Sequence, residues 1–317
     1  MKILVTGGCG FLGSNMVKKI FNETNHEIYI VDNLSTGNKN NIEKFIGQRV
    51  KFYQIDICDL KIINFIKKRK IEEIYNFACP ASPKYYLEYP IETWMSSVIG
   101  VKNLLDAIKG TNIKLFHSST SEVYGDALEI PQNEDYWGHC NPIGVRACYD
   151  EGKRSAESLI YDYIRKYKVD VRVARIFNTY GPGMSIEDGR VISNFVTQSL
   201  SGNPITIYGN GNQTRSFCYV DDTIDAIFKY MAIKANPNIP INIGNPQEKT
   251  IKEVAKYVKK VLKSESEIMH CEEMSDDPQK RRPNIDRAKI ILGWEPIISY
   301  EEGMEKTIKY FSNKLNK

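Results

Sequence analysis

The chain of 317 residues is 42% hydrophobic and 26% charged, which supplies enough apolar material for one large or two modest folded domains. Its formal net charge of +4 is spread over helix-like segments that also carry acidic residues, so no nucleic-acid partner is expected. Seven cysteines stand singly, without a CxxC pair or a metal-ligand spacing, which argues against a disulfide framework and against a metal site.

The first residues enter an apolar strand pattern at once. No signal-peptide pattern and no run of about 18 apolar residues occurs along the chain. Unpaired cysteines fit the reducing cytosol better than an oxidising compartment. We therefore expect a soluble cytoplasmic protein without a membrane partner.

Short apolar runs alternate with helix-like stretches through the first half of the chain. The runs are uninterrupted and rich in β-branched residues, which is typical of strands buried on both faces. They cover residues 3–5, 27–31, 50–55, 71–77, 113–116 and 171–176. This alternation predicts the α/β fold class, with a Rossmann-type doubly wound parallel sheet.

Beyond residue 178 the pattern changes to loops rich in Gly, Pro and Asn, with shorter elements between them. We predict strands at 205–208, 216–220 and 239–243, and helices at 221–232, 250–263 and 300–311. The pattern indicates a smaller mixed α/β lobe. The predicted boundary separates a first domain, residues 1–177, from this lobe, residues 178–317, with some chain crossing back to the first domain.

The segment TGGCGFLGSNMV follows the first predicted strand and opens a helix. Its Gly7, Gly10 and Gly13 allow a tight turn and a close approach of the backbone to a pyrophosphate at the helix N-terminus. Asp32 ends the next strand, where a carboxylate accepts hydrogen bonds from the adenosine ribose and repels a 2′-phosphate. The combination predicts NAD rather than NADP, although Asp32 also begins the turn DNLSTG. Asp56, at the following strand end, is placed to reach the adenine.

The segment YDEGKRSAE places Tyr149 and Lys153 four residues apart, on one face of a helix. A phenol is a poor base at neutral pH, but a nearby ammonium and a positive nicotinamide would lower its pKa. Tyr149 would then take a proton from a substrate hydroxyl, and Thr120, in SSTSEVYG after a predicted strand, would bond the same hydroxyl. Taken alone, a YxxxK pair is more typical of two exposed helix residues.

Several longer stretches match one family from Leu4 to about Phe311. They include VTGGCGFLGSN, VDNLSTG, STSEVYGD, EDYWGHCNPIGVRACYDEGKRSAE, QTRSFCYV and DDPQKRRPNI. The chain resembles the UDP-glucuronate decarboxylases, which are extended short-chain dehydrogenases/reductases, and the block around Tyr149 is specific to them. Small departures are Cys9, Cys79 and Asn76, which stand where alanine, serine and histidine are common.

The resemblance implies an enzyme that oxidises carbon 4 of a UDP-sugar, with NAD as the hydride acceptor. The ketone then lets a carboxyl group on carbon 5 leave as carbon dioxide, and the hydride returns to give UDP-xylose. In the related 4,6-dehydratases an aspartate precedes the glutamate of the TSE motif, whereas Ser121 precedes Glu122 here. A neutral hydroxyl can donate to a substrate carboxylate that a second acid would repel.

The resemblance also assigns Glu122 and Arg215 to the decarboxylation stage. Arg215 would hold the substrate carboxylate or the diphosphate in its rigid fork. Glu122 would either position the carboxylate or deliver the proton to carbon 5, and the sequence leaves both roles open. A competing interpretation is that Glu122 and Arg215 form a buried ion pair.

The remaining predicted binding residues lie on the same loops or match the family's nucleotide site. The NAD site is completed by Phe11, Leu12, Asn33, Ser35, Thr36, Gly37, Ile57 and Ala78. The substrate site is assigned to Tyr86, Asn178, Arg190, Tyr208, Gln213, Arg215 and Arg281. Arginines suit a diphosphate, and Tyr208 offers a flat surface for uracil. Without the resemblance, Arg190 and Arg281 would be interpreted as ordinary surface charges.

Subunits of this family pair through two long helices, which the resemblance places at residues 88–109 and 149–168. Ala156, Leu159, Ile160 and Tyr163 recur there at helical spacing. These side chains form either a subunit interface or a face that packs only on the sheet. We expect a homodimer.

Other functions share these motifs: a 4,6-dehydratase, a 4-epimerase, or an NAD-binding regulator that has lost catalysis. Ser121 disfavours the dehydratase, and Glu122 within the TSE triplet disfavours a simple epimerase. The presence of Tyr149, Lys153 and Arg215 disfavours the regulator. Release of a 4-keto pentose instead of UDP-xylose stays open, because loop kinetics decide when the product leaves.

Overall fold

The structure, a computed structural model, describes residues 1–273 and 276–315. Its strands are β1 (Lys2–Thr6), β2 (Glu27–Asp32), β3 (Val50–Gln54), β4 (Glu73–Asn76), β5 (Lys114–Thr120), β6 (Asp170–Ile176), β7 (Thr179–Tyr180), β8 (Ile205–Tyr208), β9 (Thr214–Ser216), β10 (Cys218–Tyr219), β11 (Ile241–Ile243), β12 (Glu248–Thr250), β13 (Ile268–Cys271) and β14 (Lys280–Arg281). Its helices are α1 (Phe11–Glu23), α2 (Lys61–Arg69), α3 (Pro83–Glu88), α4 (Pro90–Met95), α5 (Val101–Ile108), α6 (Ala147–Tyr167), α7 (Val191–Leu200), α8 (Val220–Ala232), α9 (Ile251–Leu262), α10 (Asp286–Leu292) and α11 (Tyr300–Leu315).

Seven strands form one parallel sheet in the order β3-β2-β1-β4-β5-β6-β11. The chain winds outward from β1 to β3, then returns to the other side of β1 with β4. Because the strand order reverses there, the connections after β1 and β4 leave in opposite directions and open a crevice at the carboxyl ends of the strands. The α/β fold class predicted from the sequence is confirmed.

Both faces of the sheet are covered, which explains why its strands are apolar without interruption. Successive side chains point to opposite faces, so Ile3 and Val5 join one core and Leu4 joins the other. The first core contains Met16 of α1, and the second contains Leu104 of α5. Together the layers hold the strand ends in fixed relative positions.

The chain after residue 178 adds three small sheets and also returns to the main one. Strand β11 pairs with β6, so this part of the chain completes the central sheet. Strand β9 lies between β12 and β14, and its register places Arg215 beside Arg281. Two arginines that are far apart in sequence therefore lie on adjacent strands.

One predicted strand, residues 216–220, is wrong as a single element. Residues Thr214–Ser216 pair with β12, whereas Cys218 and Tyr219 pair with β7. The chain changes its sheet partner at Phe217, and Val220 already belongs to α8. A period-two sequence pattern cannot show such a change of partner, because each short strand has the same local pattern.

The two long helices predicted at 88–109 and 149–168 differ in regularity. The second is α6, a single helix. The first consists of α4, a π-helical turn at Ser96–Gly100, and α5. Gly100 lies against Ile57, where a Cβ atom would come within 2.3 Å of the isoleucine side chain.

Within the described ranges, no helix combines the length and apolar character needed to cross a membrane. All seven cysteines of the chain lie in these ranges, each as a free thiol.

Asp222, in the first turn of α8, binds the segment that precedes α11 through hydrogen bonds. Its carboxylate accepts hydrogen bonds from the backbone N–H groups of Ile297 (3.3 Å) and Ile298 (3.0 Å). We predict that Asp222→Ala lowers the free energy of unfolding by about 2 kcal/mol, because two charge-assisted hydrogen bonds are lost. Urea denaturation measures this loss.

The matched control is Asp221→Ala, which removes the neighbouring, exposed carboxylate of the same helical turn. An equal loss in the two variants would show that the helix N-terminus, and not the anchored segment, gives Asp222 its effect.

Candidate active site

One cavity of about 690 Å³ opens along the carboxyl ends of the central strands and extends toward β8, β9 and β14. Every residue that the sequence assigned to catalysis or binding lines it. These are Gly7, Gly10, Phe11, Leu12, Gly13, Asp32, Asn33, Ser35, Thr36, Gly37, Asp56, Ile57, Ala78, Tyr86, Thr120, Ser121, Glu122, Tyr149, Lys153, Asn178, Arg190, Tyr208, Gln213, Arg215 and Arg281. The volume falls in the range of a small-molecule or cofactor site.

The glycine loop brings the backbone close to itself at the start of α1. A Cβ atom on Gly13 would lie 2.1 Å from the carbonyl oxygen of Gly7, so only glycine fits. Gly7 also has a positive φ of 68°, and a Cβ there would lie 2.7 Å from the backbone nitrogen of Ala78. The loop thus places the first-turn amides of α1, which have no partner inside the helix, at the cavity wall.

Asp32 lies buried at the end of β2, beside this loop. Its carboxylate accepts hydrogen bonds from the backbone N–H groups of Cys9 (2.9 Å) and Leu34 (2.8 Å). Burial raises the pKa of Asp32, and these two hydrogen bonds offset part of the rise. Each carboxylate oxygen has a second lone pair available for a ligand hydroxyl.

Asp56 and Asn33 close the same end of the cavity. The amide of Asn33 donates to Asp56 at 2.9 Å, and the Asp56 carboxylate also accepts from the N–H of Cys58 at 2.7 Å. A close-packed glycine turn at a helix N-terminus, with a buried acid at the next strand end, has the donor and acceptor set that a dinucleotide requires. The residues present therefore fit NAD.

Tyr149, Thr120 and Lys153 meet at the centre of the cavity. Lys153 donates to the carbonyl oxygen of Ser118 at 2.8 Å, and its Nζ lies 5.8 Å from the centre of the Tyr149 ring. Burial raises the pKa of Tyr149 well above its usual range, while hydrogen bonding to Thr120 lowers it. The protein groups alone therefore keep this phenol protonated at neutral pH.

Tyr86 packs against Tyr149 with nearly parallel rings, 5.1 Å between centroids and 8° between planes. The guanidinium of Arg146 also lies near Tyr86, 5.8 Å from the centre of its ring. Tyr86 therefore orients Tyr149 directly, in addition to lining the cavity.

Glu122 lies buried in a cluster of guanidinium groups. Arg281 bonds both carboxylate oxygens, one of them through Nη2 at 2.7 Å, and Arg146 bonds Oε2. Burial raises the pKa of Glu122, but Arg281 and Arg146 outweigh this effect, so the pKa lies below its usual value. Glu122 is consequently ionised at neutral pH.

Arg215 has a different partner from the one considered in the sequence. It donates to Asp277 at 2.8 Å, and Asp277 also lies 3.5 Å from Arg146. The alternative of a direct Glu122–Arg215 ion pair is therefore wrong, because Arg281 on the adjacent strand β14 takes that position.

Sequence reasoning missed Arg146 and Asp277. Both lie within matched stretches, Arg146 in VRACYDEG and Asp277 in DDPQKRRP, so the signal was present. Arg146 precedes Tyr149 by three residues, about one helical turn, which already places the two side chains on the same side. Nothing in the sequence pairs Asp277 with Arg215.

The predicted nucleotide residues line the other end of the cavity. Arg190 forms a two-point ion pair with Asp188, and Gln213 donates to the carbonyl oxygen of Tyr208 at 2.8 Å. Tyr208 is 43% exposed, so its ring face is accessible. The buried Oδ1 atom of Asn178 has no hydrogen-bond partner within the described part of the chain.

The glycine loop, the buried Asp32 and the Tyr149–Lys153 pair define a short-chain dehydrogenase/reductase, and the added lobe defines its extended class. A family model described as GDP-mannose 4,6 dehydratase matches residues 4–307. The chain is 48% identical over 315 residues to UDP-glucuronic acid decarboxylase 1 of Danio rerio, covering 99% of this chain and 73% of that protein. It is 46% identical over 317 residues to UDP-glucuronic acid decarboxylase 3 of Arabidopsis thaliana, covering 100% and 90%. The chain belongs to this family and, within it, to the UDP-glucuronic acid decarboxylases, so the resemblance seen in the sequence is confirmed.

Solved structures of related enzymes share the whole fold. A UDP-glucose 4-epimerase from Thermotoga maritima, crystallised with UDP-glucose, has a TM-score of 0.91 at 29% identity and covers 99% of this chain and 100% of its own. A UDP-glucuronic acid 4-epimerase from Bacillus cereus, in complex with UDP-glucuronic acid and NAD, has a TM-score of 0.90 at 25% identity and covers 99% and 100%.

The glycine loop gives a test of the cofactor end. We predict that Gly13→Ala lowers the affinity for NAD at least tenfold, because the new methyl group collides with the Gly7 carbonyl and pushes the loop out of position, at a cost of about 1–3 kcal/mol. Isothermal titration with NAD measures the affinity.

Gly47→Ala is the control, since a Cβ at Gly47 would have no neighbour within 4 Å in the described structure. Normal NAD binding by Gly13→Ala would mean that the loop does not approach the cofactor closely.

Proposed function

We propose that this protein converts UDP-glucuronate to UDP-xylose and carbon dioxide with NAD as its cofactor. The observation that carries the proposal is the cluster of arginines around Glu122, in the same cavity as Tyr149 and Thr120. Guanidinium groups can bind a substrate carboxylate, and Tyr149 can exchange a proton with a sugar hydroxyl, so the two together support this reaction. The high identity to named UDP-glucuronic acid decarboxylases over nearly the whole chain supports the same substrate.

The chemistry requires a ketone before carbon dioxide can leave. NAD, when bound, supplies the hydride acceptor for carbon 4 of the sugar and later returns the hydride. Tyr149 takes the proton of the carbon-4 hydroxyl, for which it must first ionise, and the ammonium of Lys153 favours that charge. The carboxyl group on carbon 5 is then β to a ketone.

Loss of carbon dioxide leaves the electron pair of the broken bond on the ketone as an enolate. In this proposal the hydroxyls of Tyr149 and Thr120, which both line the cavity, donate hydrogen bonds to the developing oxyanion. A proton that carbon 5 takes up from water restores the ketone, and Tyr149 returns its proton to the carbon-4 oxygen as the alcohol re-forms. The net reaction leaves the cofactor unchanged.

We assign Glu122 a positioning role. Its two oxygens are occupied by Arg281 and Arg146, and its lowered pKa keeps it ionised. An ionised carboxylate has no proton to deliver to carbon 5 at neutral pH. Glu122 instead holds the guanidiniums in place for a substrate carboxylate. The neighbouring Ser121 is uncharged, so it can donate a hydrogen bond to that carboxylate without repelling it.

The Ser121 position separates the proposal from a 4,6-dehydratase. An acid would be needed there to protonate a departing carbon-6 hydroxyl, and a serine cannot do so. The related 4-epimerases are solved with UDP-glucose, or with UDP-glucuronic acid and NAD, so the fold by itself does not decide the reaction.

We further assign NAD binding to residues 1–177, and UDP binding mainly to residues 178–317. In this assignment Arg190 holds the diphosphate, Tyr208 packs on the uracil, and Gln213 and Asn178 bond polar groups of the nucleotide. Free thiols at every cysteine agree with a cytoplasmic location.

We also propose a homodimer formed by the region of α4, α5 and α6. Helix α4 packs on α6 and leaves Ile91, Trp94 and Met95 accessible at 72%, 39% and 38%. Apolar side chains grouped on one helix are typical of a covered surface. The family resemblance supports a subunit contact through the same two helices.

Purified protein incubated with UDP-glucuronate is expected to release carbon dioxide and give UDP-xylose, with no net NADH, because the hydride is returned. Mass spectrometry of the nucleotide sugars and absorbance at the NADH band measure both. Tyr149→Phe is expected to slow the reaction at least about 100-fold, since the proton acceptor is lost.

Tyr167→Phe, near the C-terminal end of the same helix, is the control and keeps normal activity. Stoichiometric NADH would identify the 4-keto pentose as the released product. Intact UDP-glucuronate after long incubation with NAD would contradict the proposed reaction.

The dimer proposal predicts that Trp94→Glu produces monomers, because a charge is placed in the apolar contact. Sedimentation velocity measures the mass. The control is Ile290→Glu, which places the same charge at an exposed apolar residue (83%) on α10, away from the proposed contact. This variant should remain dimeric. A wild-type chain that sediments as a monomer at micromolar concentration would refute the dimer.

A further inference from the structure

A third carboxyl group, that of Asp150, belongs to the arginine cluster without lining the cavity. It follows Tyr149 in α6, and its Oδ2 lies 3.8 Å from Nε of Arg146. The same Arg146 bonds Glu122 through Nη2 and approaches Asp277 through Nη1. Asp150 is therefore linked to the predicted carboxylate site through one guanidinium group.

The contacts of Asp150 are too few and too long to stabilise a full negative charge. Its buried Oδ1 and the Nε of Arg146 both lack a hydrogen-bond partner within residues 1–273 and 276–315. The side chain of Asp150 is 13% exposed, so water compensates little. A buried carboxylate with one long contact is expected to keep its proton.

Charged and titratable groups face Asp150 from several elements. On or beside its own helix these are Arg146 and Glu151. From other elements they are Glu122 after β5, Arg281 on β14 and Tyr86 on α3. The thiols of Cys140 and Cys148 also lie near it. Burial, and after it the negative charge of Glu122, raise the pKa of Asp150, Arg146 and Arg281 lower it, and together these effects give a pKa of about 8. The group thus titrates just above neutral pH.

The charge balance of the cluster depends on this proton. Arg146, Arg215 and Arg281 supply three positive charges, and Glu122 and Asp277 supply two negative ones. With Asp150 protonated the cluster has one positive charge in excess. With Asp150 ionised it is neutral and offers a substrate carboxylate no net attraction.

We propose that Asp150 is a positioning residue for the substrate carboxylate: in its protonated form it leaves the surrounding arginines one unbalanced positive charge, which the carboxylate of the UDP-uronic acid neutralises. This inference rests on the proposed function, because it concerns how that substrate is selected. Asp150 acts through Arg146, which lines the cavity, and does not touch the sugar itself.

A purely structural role for Asp150 makes a different prediction. An acid in the first turn of a helix stabilises the helix dipole when it is ionised. Replacement by asparagine would then lower stability and leave the pH dependence of ligand selection unchanged. Selection between ligands with and without a carboxylate is therefore the decisive measurement.

The experiment measures the dissociation constants of UDP-glucuronate and UDP-glucose on the NAD-loaded Tyr149→Phe variant, which turns over slowly, between about pH 6.5 and pH 9.5. The two ligands differ in the carboxylate, so other pH effects cancel in their ratio. The preference for UDP-glucuronate should be nearly constant below pH 7 and fall about tenfold between pH 7 and pH 9, as one proton is lost from Asp150.

Adding Asp150→Asn should keep the preference at its neutral-pH value up to pH 9, because the amide cannot ionise. Asp162→Asn on the exposed face of α6 is the control and should retain the fall. A flat preference with Asp150 present, or a fall that persists in Asp150→Asn, would overturn the inference. The first of these results needs no Asp150 variant, so misfolding of that variant does not hide it.

Failure of the proposed function and failure of the inference about Asp150 give different results. If the wild-type chain decarboxylates UDP-glucuronate while the preference stays flat, only the role of Asp150 is refuted. If no carbon dioxide is formed and UDP-glucuronate binds no better than UDP-glucose at any pH, both fail.

Discussion

The pairing of Glu122 with Arg281 and Arg146 is the contact on which the site depends. Glu122 lies two residues after the end of β5, Arg146 precedes α6, and Arg281 lies on β14. Separating these buried charges would leave each without compensation, which costs several kcal/mol. The same contact therefore joins the lobe to the Rossmann domain and fixes the direction of two guanidiniums, while Asp277 bonds the third, that of Arg215.

The parallel sheet explains why the other reacting groups meet the cluster. Strands β1, β2 and β5 end at the same edge, so the glycine loop, Asp32 and Thr120 face one crevice. Helix α6 then crosses behind β5 and brings Tyr149 and Lys153 to that edge, where Lys153 is bonded to the β5 carbonyl of Ser118. Tyr149 and Arg146 thereby both line the cavity, and each lies against the ring of Tyr86.

Local motifs predicted the fold and much of the cavity. A strand, a glycine turn and an acid at the next strand end can each be recognised from residues that are close together in the sequence. Pairings between distant segments were not predicted. No local pattern joins Glu122 to Arg281 rather than to Arg215, since that choice follows from the register of β9 and β14. Asp150 was overlooked for a related reason: its unusual environment is created by Glu122 and Arg281, which are close to it only in the folded chain.

The most direct test is a crystal structure of the Tyr149→Phe variant with NAD and UDP-glucuronate. The account predicts that the sugar carboxylate lies within hydrogen-bond distance of at least one of Arg146, Arg215 and Arg281, with the carbon-4 hydroxyl beside Thr120. A sugar whose carboxylate points to solvent, or whose carbon 4 lies away from Thr120 and the ring at position 149, would contradict it.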